Sequence, residues 1–288
     1  MSINKLCKIS FIVFIAICAL SITNLFAETN NSNNPTAETN ISQVKTIDTT
    51  ANINSKTEET SINKSADAVK KAMESKKYLF VLFYKDAIDE KYKKLEADVL
   101  KFKNSSTVEI SIYSANISDT KESEAVSKYG LDRGAPMPLA LVVAPNGAVV
   151  GGFNSDTPDS DYSKAIVSDL AMNIMKTVQE RKIALVMLQN KQTKFNEESK
   201  KAANDSMSDP KIGSLMTTIE ADPDKIENQE FLKQCKIEGK VLEATVVVVV
   251  PPAAIAGVLK GNITKDNILS TLVSSCGSGG GCGPGGCK

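Results

Sequence analysis

Three thiols crowd the C-terminus, in Cys276-Gly-Ser-Gly-Gly-Gly-Cys282-Gly-Pro-Gly-Gly-Cys287-Lys288. Glycine at this density costs too much backbone entropy to settle into a helix or strand, so residues 276–288 read as a pliable tail whose sulfurs can converge on one soft ion. Thiolates select Cu(I) or Zn over hard cations, which makes Cys276, Cys282 and Cys287 candidate metal ligands. The spacings match no standard zinc module. Two other readings stay open: the tail as a thiol-disulfide redox couple, or as an attachment point or inert low-complexity end. Three sulfurs cannot all pair among themselves, and Cys235 or a second molecule would take the odd one.

The remaining composition narrows the chemistry by what it lacks. The 288-residue chain has no histidine and no tryptophan. That removes Ser-His-Asp and Cys-His catalysis, histidine-ligated zinc or haem, and the usual general base near neutral pH. Basic and acidic side chains balance at 34 each, so no net field draws the chain to nucleic acid or to an anionic membrane.

The N-terminus, residues 1–27, reads as a signal peptide. Lys5 and Lys8 precede an apolar run from Ile9 to Leu20 that is too short to span a bilayer, and Leu25-Phe26-Ala27 offers a small residue for cleavage. Cutting after Ala27 removes Cys7 and Cys18 and leaves no transmembrane span; retention as an anchor is the alternative. The mature chain is then expected in a bacterial periplasm or outside the cell, where disulfides persist. Residues 28–65 are rich in Asn, Thr, Ser and Lys. They bury too little surface to offset ordering and read as a disordered linker.

Between linker and tail the chain repeats itself. Ser111 to Phe153 lies over Thr217 to Leu259 without a gap, at a spacing of 106 residues, matching Ala115 with Ala221, Glu124 with Glu230, Val142-Val143 with Val248-Val249, Pro145 with Pro251, Ala148 with Ala254 and Gly151 with Gly257. A fixed long period of this kind marks a duplicated fold. In the first copy a helix is expected from about Ala66 to Lys76, with Ser65 as its cap. The continuous apolar run Tyr78 to Tyr84 reads as a strand covered on both faces. A charged helix follows from about Glu90 to Lys103, then a strand from Val108 to Tyr113, and a helix from Lys121 to Tyr129. Strands Leu139 to Val143 and Ala148 to Phe153 flank Pro145-Asn146-Gly147, a hairpin turn, and a last helix runs from about Asp161 to Val178. In the second copy the same plan gives strands Ile183 to Leu188, Ile212 to Thr218, Val246 to Val250 and Ala254 to Leu259. Its helices are expected near Glu197 to Met207, Ile226 to Lys236 and Thr264 to Val273.

This order, with Gly134-Ala135-Pro136-Met137-Pro138-Leu139 leading into an apolar strand, resembles the thioredoxin-like superfamily. The resemblance covers about Ala66 to Ser275. It implies an α/β protein of two tandem domains, 66–180 and 181–275, each a mixed sheet with flanking helices. It places a cis-proline at Pro138, with a cis Pro136 or two ordinary trans prolines as the alternatives, and makes Met137, Pro138 and Leu139 the edge where a bound peptide is expected. In that family two redox cysteines follow the first central strand, at a helix N-terminus that stabilises thiolate. Here the slot reads Lys85-Asp86-Ala87-Ile88-Asp89-Glu90-Lys91, with Ile88 and Lys91 where the cysteines belong. In the second copy it reads Gln189-Asn190-Lys191-Gln192-Thr193, and Ala244 replaces Pro138. Cys235 reads as a small buried filler. With the N-terminal signal supplying export, the resemblance implies a non-catalytic thioredoxin-like protein that binds a protein or peptide partner. A thiol-disulfide oxidoreductase working through the tail cysteines and a structural envelope protein remain alternatives.

Overall fold

The computed structural model describes residues 64–276, with no side-chain description for 274–276. The signal peptide and the linker expected before residue 64, and the tail cysteines Cys282 and Cys287, lie outside the described residues. In the first half α1 (Lys64–Glu74) leads into β1 (Tyr78–Tyr84), α2 (Glu90–Ser105), β2 (Ile110–Asn116), α3 (Ser123–Tyr129), β3 (Leu139–Val143) and β4 (Val149–Asn154), ending in a 3-10 segment, Asp159–Ala165. The second half repeats the series as α4 (Asp169–Gln179), β5 (Ile183–Leu188), α5 (Asn196–Met207), β6 (Met216–Ala221), α6 (Gln229–Gln234), β7 (Thr245–Val250), β8 (Ala254–Lys260) and α7 (Lys265–Cys276).

The two four-stranded sheets have the same order, β2-β1-β3-β4 and β6-β5-β7-β8. In each, the first two strands are parallel and the last two join antiparallel. The central strands explain why. Tyr78, Phe80 and Leu82 pack on one face of the first sheet and Leu79, Val81 and Phe83 on the other, because successive side chains of a strand point oppositely. Ala184, Val186 and Leu188 against Leu185 and Met187 do the same in the second. Such a strand needs cover on both sides, and helices supply it: Tyr92, Leu95 and Val99 of α2 on one face, Ala72 of α1 and Ala125 of α3 on the other.

The duplication extends to register. Leu79 pairs with Val143 and Ala184 with Val249, and the register shifts between Val142 and Val143 in one hairpin and between Val248 and Val249 in the other. The Gly151 and Gly257 identity has a packing cause. A Cβ on Gly151 would lie 3.0 Å from the Cβ of Ala165, and one on Gly257 would lie 2.4 Å from Cγ2 of Thr271. In both copies the closing helical segment presses onto the hairpin at that point.

Three expectations need correction. The single helix from Asp161 to Val178 is two segments, broken at Ile166 to Ser168, where the Ser168 hydroxyl accepts from the Ala171 N–H and caps α4. Leu170, Ile174 and Val178 of α4 pack into the core of the second sheet, so the helix expected to close the first unit opens the second in packing, as α1 opens the first. The strand expected from Ile212 starts at Met216, because the chain first makes a tight 3-10 turn in which Gly213 has no room for a Cβ beside the Met207 carbonyl. Ser65 lies within α1 rather than ahead of it, and its hydroxyl and N–H both donate to the buried carboxylate of Glu122. Tyr113 Oη donates to the other oxygen of that carboxylate at 2.6 Å.

All six tyrosines lie between Tyr78 and Tyr162, in the first half. Burial raises the hydroxyls of Tyr78, Tyr92, Tyr113 and Tyr129, and it pushes Tyr162, which is fully buried with no hydrogen-bond partner for its hydroxyl, up to about 12. Unfolded tyrosine ionises near 10, so above that pH the unfolded chain sheds protons that the folded one keeps. Stability of the first half is expected to hold up to about pH 10 and fall from there through about pH 12, while the second half, without tyrosine, loses only the single contribution of the Cys235 thiol, which burial raises to about 11. Urea titrations read by site-resolved hydrogen exchange at a series of alkaline pH values check this, and equal loss in both halves refutes it. Gly257→Ala is expected to cost about 1–3 kcal/mol in urea unfolding. Adding Thr271→Ser, which deletes the clashing Cγ2, should restore most of it.

Candidate functional site

The slot after β1 is an exposed loop, Lys85 to Asp89, leading into the 16-residue α2. A helix start of this kind holds unsatisfied N–H groups and the positive end of the dipole. Here a carboxylate takes that place: Asp89 caps the helix and accepts from Tyr92 N–H at 2.8 Å. Ile88, where one cysteine would stand, is half exposed, and Lys91 is exposed on the first turn of α2. The loop is tied down from the side, since Ser118 Oγ, in the loop after β2, donates to Asp86 Oδ1 at 2.8 Å.

The Met137–Pro138 peptide is cis. Leu139 pairs with Phe83 on one side and Asn154 on the other, so Pro138 enters the sheet beside Tyr84, the residue before the slot. Pro138 and Leu139 are buried, and Leu139 sits inside the sheet rather than on a free edge. Met137 is half-buried against the cluster that includes Tyr129 and Leu131. Of the three candidate edge residues, Met137 is the one with side-chain surface to offer.

The second slot is built from amides. Asn190 Nδ2 donates to Asp222 and to Asp224, 2.9 Å in each case, from the loop after β6. Its backbone oxygen accepts from the Thr193 N–H and from Asn196 Nδ2, and Thr193 Oγ1 donates to Asn196 Oδ1 at 2.6 Å. The Asn190 side chain, with the Asp224 N–H behind it, holds the Asp222 carboxyl below its ordinary range. The two slots therefore share one device, with Ser118 on Asp86 in the first and Asn190 on Asp222 and Asp224 in the second. In both, the loop that would carry a nucleophile is fastened to the loop after the neighbouring parallel strand. Asp222-Pro223-Asp224 is a signal of this in the sequence, but nothing local to it names Asn190 as the partner.

Cys235 is buried in the core of the second sheet, and burial pushes its thiol up to about 11. At neutral pH that sulfur is protonated and a poor nucleophile or ligand. Cys276 is the last residue of α7. Among the described residues no group of three acidic or thiol side chains is placed to hold a metal, and no helix is long and apolar enough to cross a membrane.

Asn190→Ala deletes the donor that stabilises the Asp222 carboxylate. A carboxylate depressed in the folded state adds stability above its unfolded pKa and loses it as pH falls through the folded one. The substitution is expected to return Asp222 toward its ordinary pKa and to weaken the fold near neutral pH while leaving it unchanged in strong acid. An NMR pH titration of Asp222 beside urea unfolding at two pH values reads both effects, and an unmoved Asp222 titration refutes the latch.

No family model matches the chain, and no curated protein does. Comparison with solved structures finds thioredoxin-domain proteins. The N-terminal domain of alkylhydroperoxide reductase AhpF from Enterococcus faecalis is 15% identical, with 72% of this chain and 98% of that one covered and a TM-score of 0.25. The first two thioredoxin domains of Saccharomyces cerevisiae Eps1p are 12% identical, covering 72% and 95%, with a TM-score of 0.26. Human ERp44 in its zinc-bound form is 14% identical, covering 72% of this chain and 56% of that one, with a TM-score of 0.27. Likeness at this level carries no functional inference. The fold rests on the chain's own geometry: strand order, mixed pairing and helices on both faces, twice over. By that geometry each half has the thioredoxin-like fold, and the chain carries it as a tandem pair.

Proposed function

We propose that this is an exported, non-catalytic thioredoxin-like protein that binds a polypeptide partner, with a cysteine-bearing tail that takes a soft metal ion. What carries the non-catalytic reading is the state of the two slots. Each lacks a thiol, and each is fastened by side-chain hydrogen bonds, Ser118 to Asp86 and Asn190 to Asp222 and Asp224. Disulfide exchange needs a thiolate free to attack and a loop that admits the substrate. A scaffold that keeps the fold and ties down the reactive loop is suited to holding another chain.

The metal reading rests on donor chemistry. Cys276, Cys282 and Cys287 supply three thiolates, enough for a trigonal Cu(I) site or for a Zn site completed by one more ligand. Cys235, buried and protonated, is unsuited to be that ligand. Export follows from the basic and apolar N-terminus and accounts for a tail whose thiols meet an oxidising compartment.

Equilibrium dialysis of the full chain against Zn(II), and against Cu(I) under anaerobic conditions, should show one bound ion. The variant with Cys276, Cys282 and Cys287 all changed to serine should show none. Equal binding by the two proteins ends the metal claim. Insulin reduction by the full chain that is lost in the same variant would establish the oxidoreductase alternative instead.

A further inference from the structure

The duplication supplies an internal control for every surface, and one surface differs between the copies. In the first half the start of β4 is covered by α4. The Gln179 carboxamide closes on the backbone of Val149, accepting from its N–H at 2.9 Å and donating to its carbonyl at 2.7 Å. Asn173 accepts from Asn146 in the hairpin turn at 3.3 Å, and Met172 reaches the first core beside Tyr78. Under this cover Ala148 is fully buried.

In the second half no helix among the described residues covers the same position. Val149 pairs with Val143 and Ile255 with Val249, each just past the register shift, so the N–H and carbonyl of Ile255 turn outward as those of Val149 do. No side chain among the described residues bonds to them. Ala254, the counterpart of Ala148, is exposed, and Ile255 is 40% exposed. The positions that would repeat α4 hold the end of α7 and then Gly277-Ser-Gly-Gly-Gly-Cys282-Gly-Pro, which contains no carboxamide side chain.

We propose that the Ala254–Ile255 end of β8 is a docking site for a helix of a partner polypeptide, one that presents a carboxamide side chain to the Ile255 backbone. It would repeat, on the second copy, the interface that α4 makes with β4. The occupant is a helix because a helix, α4, covers the equivalent position of β4 and closes a Gln carboxamide on its backbone. This rests on the reading that the chain binds a polypeptide. The assay below uses no native partner, so its failure removes this surface and leaves that reading standing.

The probe is a fluorescent peptide with the sequence Ser168 to Arg181 carrying Leu170→Ala, Ile174→Ala and Val178→Ala, which blanks the face that α4 buries in the second core. Titrated with the full chain, it should bind saturably and gain helical circular dichroism. Gln179→Ala in the peptide should weaken binding about tenfold, the effect of losing one well-made hydrogen-bonded pair. Ile255→Pro in the chain removes the outward N–H at an edge position that tolerates proline and should weaken binding to a similar extent, with the thermal midpoint checked alongside. If that variant does not fold, the peptide substitution decides alone. Absence of binding, binding indifferent to Gln179→Ala, or a strand signature in the bound peptide overturns the proposal.

Discussion

Both halves hang on a central strand that has no outward face. β1 and β5 each lie between a parallel and an antiparallel neighbour and are buried above and below. Removing one large side chain from such a position costs about 2–5 kcal/mol. A strand of this kind cannot slip by one residue, because a slip exchanges its two faces. That constraint fixes the register of both neighbours and, through the shared hairpin irregularity at Val142/Val143 and Val248/Val249, the direction in which each outer strand presents its backbone. Helices then fall where they must to cover the faces.

α4 is where the two copies become one structure. Its Leu170, Ile174 and Val178 side is core of the second sheet, while Met172, Asn173 and Gln179 engage the first. One 11-residue helix thus carries two unrelated sets of obligations. It reads in the sequence as the tail of one unit because its apolar positions continue the periodicity of the segment before it.

Much of the architecture is legible in the residues. Tyr78 to Tyr84 announces a doubly covered strand by composition alone, and the paired identities mark the duplication. The side-chain latches are not legible, since they join positions about thirty residues apart through groups that also suit ordinary turns; Asn190 and Asp222 look like loop residues until the parallel pairing of β5 and β6 sets them side by side. Ser65 looks like a cap because caps are serines, yet it serves a carboxylate delivered from Glu122 by tertiary packing. The break before Ser168 is hidden by Ile166 and Val167, apolar residues that fit a helical stripe as well as they fit the first core, where they are in fact packed. In each case the local pattern is satisfied by two environments, and a contact distant in sequence chooses.

The confinement of every tyrosine to the first half, in a chain without tryptophan, divides the molecule optically. Phenolic emission and phenolic dichroism come from one copy alone, while the aromatic signal of the other is limited to phenylalanines such as Phe195 and Phe231. The protein therefore carries a native label on one member of a duplicated pair, and an event in the first copy can be seen without attaching anything to either.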